Sequence, residues 1–255
     1  MATHQEAWAG FPSEFDDGPA LVTVDLGWAD EGPDPRRTTL ILVRLAAPDP
    51  EAAGEESVAA FLDELDSFDD ALTSTLSKKL NAATVGMILT TSHRWWCYYA
   101  SKGDNAAEIV ATIARETAPE HTPEVMSEDD PEWDFYSDAL FPDDAQLRFI
   151  ADDNVVDQLQ SNGDNAETPR PIEHYAYLPD PESRDRFAEW CEANGFTVTD
   201  VGQELNEEAD AYVVQFNHVG PAITEEIWEK TMLASEAAEK LGGEYDGWES
   251  RVMKS

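Results

Sequence analysis

Five histidines and two cysteines hold most of the chain's capacity for acid-base, nucleophilic or metal chemistry. His4, His93, His121, His174 and His218 include no pair four residues apart, the separation that sets two imidazoles on one helix face. No cysteine joins them at zinc-ligand spacing, so metal catalysis has weak support. Cys97 and Cys191 lie in different halves, and a reduced, buried pair of thiols is the expected state. An enzymatic site in the N-terminal half would draw on His93 and Asp130, although His93, like His218, reads more simply as an exposed turn residue. Asp129, Asp130 and Glu132 have the oxygen ligands a cation takes, and a solvated acidic loop has the same composition. Trp95, Trp96, Tyr98 and Tyr99 have ring faces that stack on bases, yet the negative charge around them favours a core. A nucleophile elbow, a phosphate loop and a dinucleotide fingerprint are all missing. The residues identify no reaction, and no catalytic residue, metal or cofactor is expected.

One stretch does resist a compositional explanation: Gly242-Gly243-Glu244-Tyr245-Asp246-Gly247-Trp248-Glu249. Glycine after a helical run closes the helix with a left-handed residue, so a short strand is expected from about Glu244. Gly247 inside that strand marks a bulge or a close approach of another backbone, with Trp248 beside it. Two readings stand: an edge strand plugging a core, or a recognition surface made of Tyr245, Asp246, Gly247, Trp248 and Glu249.

Charge limits the partners. The chain has 54 acidic against 16 basic residues, a formal net charge of −38. Such a surface repels phosphate backbones and anionic lipid, which argues against direct nucleic-acid or membrane binding. The acidity fits either a high-salt host or a face aimed at a basic partner, and its spread along the whole chain favours the first. Hydrophobic residues make up 42% of the chain, enough to build cores. No segment approaches the roughly 18 apolar residues of a membrane span. Met1 to Glu6 lacks the features of a secretory signal, so a cytoplasmic protein is expected.

The 255 residues suit two domains. The turn-rich run Ser161 to Pro169 is the expected linker (161–169), between domains at 1–160 and 170–255. In the first, strands are expected at Ala20–Leu26 and Thr38–Leu45, a long helix over Val58–Leu80, a hairpin through Val85–Tyr99 and a second helix near Ala107–Ala114. Asp129 to Tyr136 alternates polar and aromatic residues and reads as a strand or strand entry, and Ala145–Gln160 as a short helix docked on one domain. The first domain is therefore mixed α+β. The second gives strand Ile172–Leu178, a helix opened by Asp180-Pro181 and closed by Asn194-Gly195, strands Phe196–Val201 and Ala211–Asn217, and a helix capped by Thr224. The link from Gly202 to Asp210 should be exposed. With the last strand the order is β-α-β-β-α-β, the ferredoxin-like arrangement, whose helices leave one sheet face open to a partner.

Arg170, His174, Asn194-Gly195-Phe196 and above all Gly243-Glu244-Tyr245-Asp246-Gly247-Trp248-Glu249 resemble RraB, the family of regulators of ribonuclease E activity. The N-terminal half is similar to a domain of unknown function that often precedes RraB-like domains, through Val85-Gly86, the hairpin to Tyr99, and Asp130-Pro131-Glu132-Trp133 with Tyr136, Leu140 and Pro142. The resemblance implies a ferredoxin-like domain and a non-enzymatic protein that binds an endoribonuclease and restrains it. An anionic domain can occupy an Arg-rich segment of such a nuclease.

Overall fold

The computed structural model describes residues 4–15, 18–47, 54–202, 204–205 and 210–254. Most of the link from Gly202 to Asp210, expected to be exposed, lies outside the described residues. The chain divides into two compact units between Asp143 and Asp144. The division falls ahead of the helix at 144–161, not in the 161–169 run expected as a linker.

The first unit contains β1 (Trp8–Phe15), β2 (Gly18–Asp25), the short α1 (Gly27–Glu31), β3 (Thr39–Ala46), α2 (Glu55–Leu80), β4 (Ala83–Thr90), β5 (His93–Ala100), α3 (Ala106–Thr117) and β6 (Glu124–Asp129). Its antiparallel sheet has the order β1-β2-β4-β5-β3-β6. The helical periodicity of α2 places Phe61, Leu65, Phe68, Leu72, Leu76 and Leu80 in one row, packed with α3 on Ile41, Val43, Leu45, Trp96 and Tyr98. Each such side chain contributes about 1.5–3 kcal/mol by leaving water.

On the opposite face Tyr99 stacks on Trp133, with centroids 4.1 Å apart. The run Asp129 to Tyr136, expected as a strand, is instead a turn leading into a π-helical segment, Tyr136–Leu140. Asp130 is the reason: its carboxylate accepts the amides of Asp134 and Phe135 and the hydroxyl of Tyr99, which bends the chain back. Burial works to raise its pKa, and these hydrogen bonds outweigh that and hold it below the usual range.

The second unit contains α4 (Asp144–Ser161), β7 (Arg170–Leu178), α5 (Pro181–Ala193), β8 (Thr197–Val201), β9 (Glu204–Leu205), β10 (Asp210–Gly220), α6 (Thr224–Glu239) and β11 (Glu244–Glu249). The strand order β11-β7-β10-β8, antiparallel throughout, is the ferredoxin-like arrangement, with α4 added to it. Asp180 caps α5 by accepting the Ser183 amide at 2.8 Å, and Pro181 follows at the first helical position. Thr224 does not cap α6. Ile223 holds that place, and the Thr224 hydroxyl donates to Asp153 on α4 at 2.8 Å.

The 161–169 run is tied down. The buried Arg170 guanidinium donates to Asp164 Oδ2 at 2.5 Å, to the Asn165 carbonyl at 3.1 Å and to Ser250 Oγ at 3.1 Å. Asp164 also accepts the Met253 amide at 2.6 Å, while the Asn165 amide donates to the Met253 carbonyl at 2.7 Å. A turn-rich composition is needed here because the backbone must wrap a buried guanidinium and satisfy it.

Candidate functional site

The final strand is positioned by its turn. Gly242 has φ 73°, and a Cβ on Gly243 would stand 2.4 Å from both the Tyr177 carbonyl and a Leu178 methyl, so β11 can reach β7 only with glycine there. Along β11 the register shifts between Tyr245 and Gly247, where Gly247 has φ 145°. This bulge has a topological effect. Strict alternation would send Tyr245 and Trp248 to opposite faces, but the extra residue pairs Tyr245 with Ala176 and Trp248 with His174, both on the helix-covered side.

Both aromatics are therefore structural contacts. Tyr245 is 4% exposed, lies under the Arg148 guanidinium at 5.1 Å, and donates its hydroxyl to His174 Nδ1 at 2.7 Å. Trp248 packs with Leu159, Ile172, Ala222 and Ile227, and its indole N–H donates to Asp152 Oδ1 at 2.9 Å. Asp152 also takes the Thr231 hydroxyl at 2.6 Å, so one carboxylate joins α4, α6 and β11. Burial pushes the Asp152 carboxyl up, against the pull of these two hydrogen bonds.

His174 lies fully buried between β11 and β10. Its ring stacks on Phe216 at 5.1 Å, and Nε2 is 2.8 Å from His218 Nδ1. Burial, helped by His218 and Lys230, lowers its pKa to about 3; burial and Lys230 lower that of His218 to about 4. Burial also pushes the Tyr245 phenol far up. At neutral pH the phenol therefore keeps its proton and donates to Nδ1, which places the His174 proton on Nε2 and directs it to His218.

The other sheet face, turned away from α5 and α6 among the described residues, carries the rest of the predicted element. There Glu173, Tyr175 and Tyr177 of β7 are half-buried, and Glu244, Asp246 and Glu249 of β11 are exposed. Glu249 stands directly opposite Glu173, a cross-strand pair of like charge. Its repulsion is shared out locally: Tyr175 donates its hydroxyl to Glu249 at 2.7 Å, and the Asn217 amide donates to Glu173 at 3.1 Å. The Glu249 bond pushes the Tyr175 phenol up to about 12. Beside them the Cβ position of Gly247 opens onto free space.

Residues 149–250 match the family described as regulator of ribonuclease activity B (RraB), and residues 6–141, more than half of the chain, match the family of unknown function DUF695. The chain belongs to the DUF695 family. Its second unit is RraB-like, in agreement with both resemblances carried by the residues. The RraB match starts inside α4, so that helix goes with the RraB-like unit. No curated protein sequence matches the chain. Solved structures with some likeness include an unknown protein from Galdieria sulphuraria, 12% identical over 84% of this chain and 99% of that one, with a TM-score of 0.25. A second is described as a putative glycine cleavage system transcriptional repressor, 8% identical over 84% and 98%, with a TM-score of 0.24. Scores this low carry no argument about fold or function.

Within the DUF695 unit the candidate enzymatic pair is not brought together. His93 opens β5 beside Ala46, whereas Asp130 follows the Thr39 end of the same ladder, roughly 25 Å away at strand rise. His93 bonds to Ser92 Oγ at 2.7 Å, and Asp130 is engaged in its turn. Both cysteines are free and fully buried, and burial pushes the Cys191 thiol up to about 12. Among the described residues no three His, Cys, Asp or Glu side chains group as a metal site, and no helix is long and apolar enough to cross a membrane. Sequence reasoning missed His218 and Asp152 as partners of the Tyr245 to Glu249 element; their signal was only long-range pairing.

Proposed function

We propose that this protein is a non-enzymatic, cytoplasmic regulator of RNA turnover that binds an endoribonuclease of the ribonuclease E type at a basic segment and restrains it. It does so without contacting nucleic acid directly. The RraB match supports the regulatory class. The observation that carries the surface is the Glu173–Glu249 pair on the sheet face turned away from α5 and α6. A guanidinium set between these carboxylates relieves their repulsion and stacks on the flanking tyrosines, which suits an Arg-rich segment. Of the five residues expected at the partner contact, Asp246 and Glu249 meet it with side chains, Gly247 gives it open backbone, and Tyr245 and Trp248 hold the strand from behind.

Purified protein should co-elute with such a nuclease's basic segment at about 0.1 M salt, slow its RNA cleavage, and release it as salt rises. Absence of binding at every ionic strength refutes the reading. Replacing Glu173 and Glu249 together by Gln should weaken the complex at least about tenfold, the effect of losing charge-assisted hydrogen bonds.

A further inference from the structure

One wall of an open cavity of about 950 Å³ in the DUF695 unit is formed by a strap, His4 to Glu6, that runs just ahead of β1. Its attachment is built rather than incidental. The His4 ring stacks on Trp28 with centroids 3.7 Å apart and planes within 12°, and the strap crosses directly over Gly27, where a Cβ would fall 2.1 Å from the Gln5 carbonyl. Only glycine at 27 lets the strap lie down. Ala7 fixes its far end, because the Leu26 amide donates to the Ala7 carbonyl at 2.9 Å and the Ala7 amide donates to Asp25 Oδ1 at 2.8 Å. Those bonds do not involve His4, so Ala7 is a natural pivot.

His4 is held from both sides by anions. Its Nε2 is 2.6 Å from Asp25 Oδ2 and its Nδ1 is 2.8 Å from Glu31 Oε1. Ionised carboxylates only accept, whereas a neutral imidazole has one N–H and one lone pair, so the imidazolium alone can donate to both. Loss of the proton turns a lone pair onto one of the carboxylates. Asp25 cannot turn aside, because its Oδ1 also takes the Gly27 amide at 3.0 Å. Burial works to lower the His4 pKa, and the hydrogen bonds and charges of Asp25 and Glu31 outweigh it and hold it above the usual imidazole value. The other charges on the elements packed here are Glu6, which accepts the Trp8 indole at 3.1 Å, the exposed Asp30, and Asp34 in its pairs with Arg36 and Arg37. Arg37 is also 5.7 Å from the Trp28 ring.

We infer that His4 to Glu6 form a pH-operated latch on this cavity, closed while His4 is an imidazolium and released, pivoting at Ala7, when it loses its proton. The contribution is present below pH 6.5, down to the range where the carboxylates themselves protonate, and it is lost as pH rises through the raised folded pKa. Release widens the cavity and bares the ring face of Trp28 that His4 covers. The inference stands apart from what the RraB-like unit binds.

The test is nitrogen NMR of the full chain across the His4 titration. At pH 6 both His4 ring nitrogens should show imidazolium shifts, and the order parameters of the Gln5 and Glu6 amides should be about 0.85; above the His4 midpoint they should fall below about 0.6. Glu31→Gln supplies an amide that donates to the lone pair of a neutral imidazole, so its strap should stay ordered on both sides of the wild-type midpoint. Gly27→Ala pushes on the Gln5 carbonyl and should lower the order parameters already at pH 6, with the His4 midpoint moved back toward 6.5. A His4 midpoint at or below 6.5, a strap equally ordered across the titration, or a Glu31→Gln strap that loosens at the same pH as the wild type overturns the inference.

Discussion

Mild acid should unfold the RraB-like unit through two histidines. His174 and His218 have folded pKa values of about 3 and about 4, against 6.5 for a free imidazole. Below pH 6.5 the unfolded chain takes up protons that the folded unit refuses, so stability present above 6.5 is lost as pH falls toward the folded values. At pH 5 the fully buried His174 costs about 2 kcal/mol, one and a half pH units at 1.36 kcal/mol each, while solvent reaching His218 reduces its share, so the pair costs about 2–4 kcal/mol. That is a large share of the 5–15 kcal/mol typical of a domain. The other groups around the pair are Lys230, which disfavours protonation further, and Arg148, Asp152 and Asp246 around Tyr245. Hydrogen exchange of β7, β10 and α6 amides at pH 7 and pH 5 measures opening of this unit separately from the other. Replacing His174 and Tyr245 together by Phe removes both ends of one hydrogen bond while keeping ring volume. At least half of the pH sensitivity should then vanish. A wild-type loss below about 1 kcal/mol, or the same loss in the double variant, would refute the claim that these rings stay neutral at a cost.

Two further perturbations probe the frame that holds β11. Asp164→Ala leaves the Arg170 guanidinium buried without its anion, and denaturant unfolding should record a loss of about 3–5 kcal/mol. Gly243→Ala forces a Cβ against the Tyr177 carbonyl and should cost about 1–3 kcal/mol by the same measurement, with exchange protection lost first along β11.

The second unit was legible because its signals are local. Asp180-Pro181 announces a helix start, Gly195 at φ 85° a stop, and Val214 and Phe216 alternate onto the core. The first unit's inner strands, hairpin and two long helices were legible in the same way, but its sheet edges were not. β6 reads Glu-Val-Met-Ser-Glu-Asp and is almost wholly exposed at the sheet edge, so no hydrophobic alternation marks it. β1 carries Pro12, which hides a strand unless it is known to lie at an edge. The polar-aromatic alternation of Asp129 to Tyr136 suggested a strand because periodicity cannot see Asp130 collecting its own downstream amides. For the candidate site, glycine at 247 announced a bulge. The facing of Trp248 depended on the register across to β7, which only the folded chain sets.

That bulge also bears on how copies of the chain behave together. β11 ends its sheet, and a flat terminal strand invites a second molecule to zip on and begin a fibre. The bulge at Gly247 breaks the regular register of the strand after three residues, and the exposed Glu244, Asp246 and Glu249 present like charge to any identical strand that approaches. Under the proposed function, the same charges that turn away an identical strand receive a cationic one, and self-avoidance and partner choice then share one border.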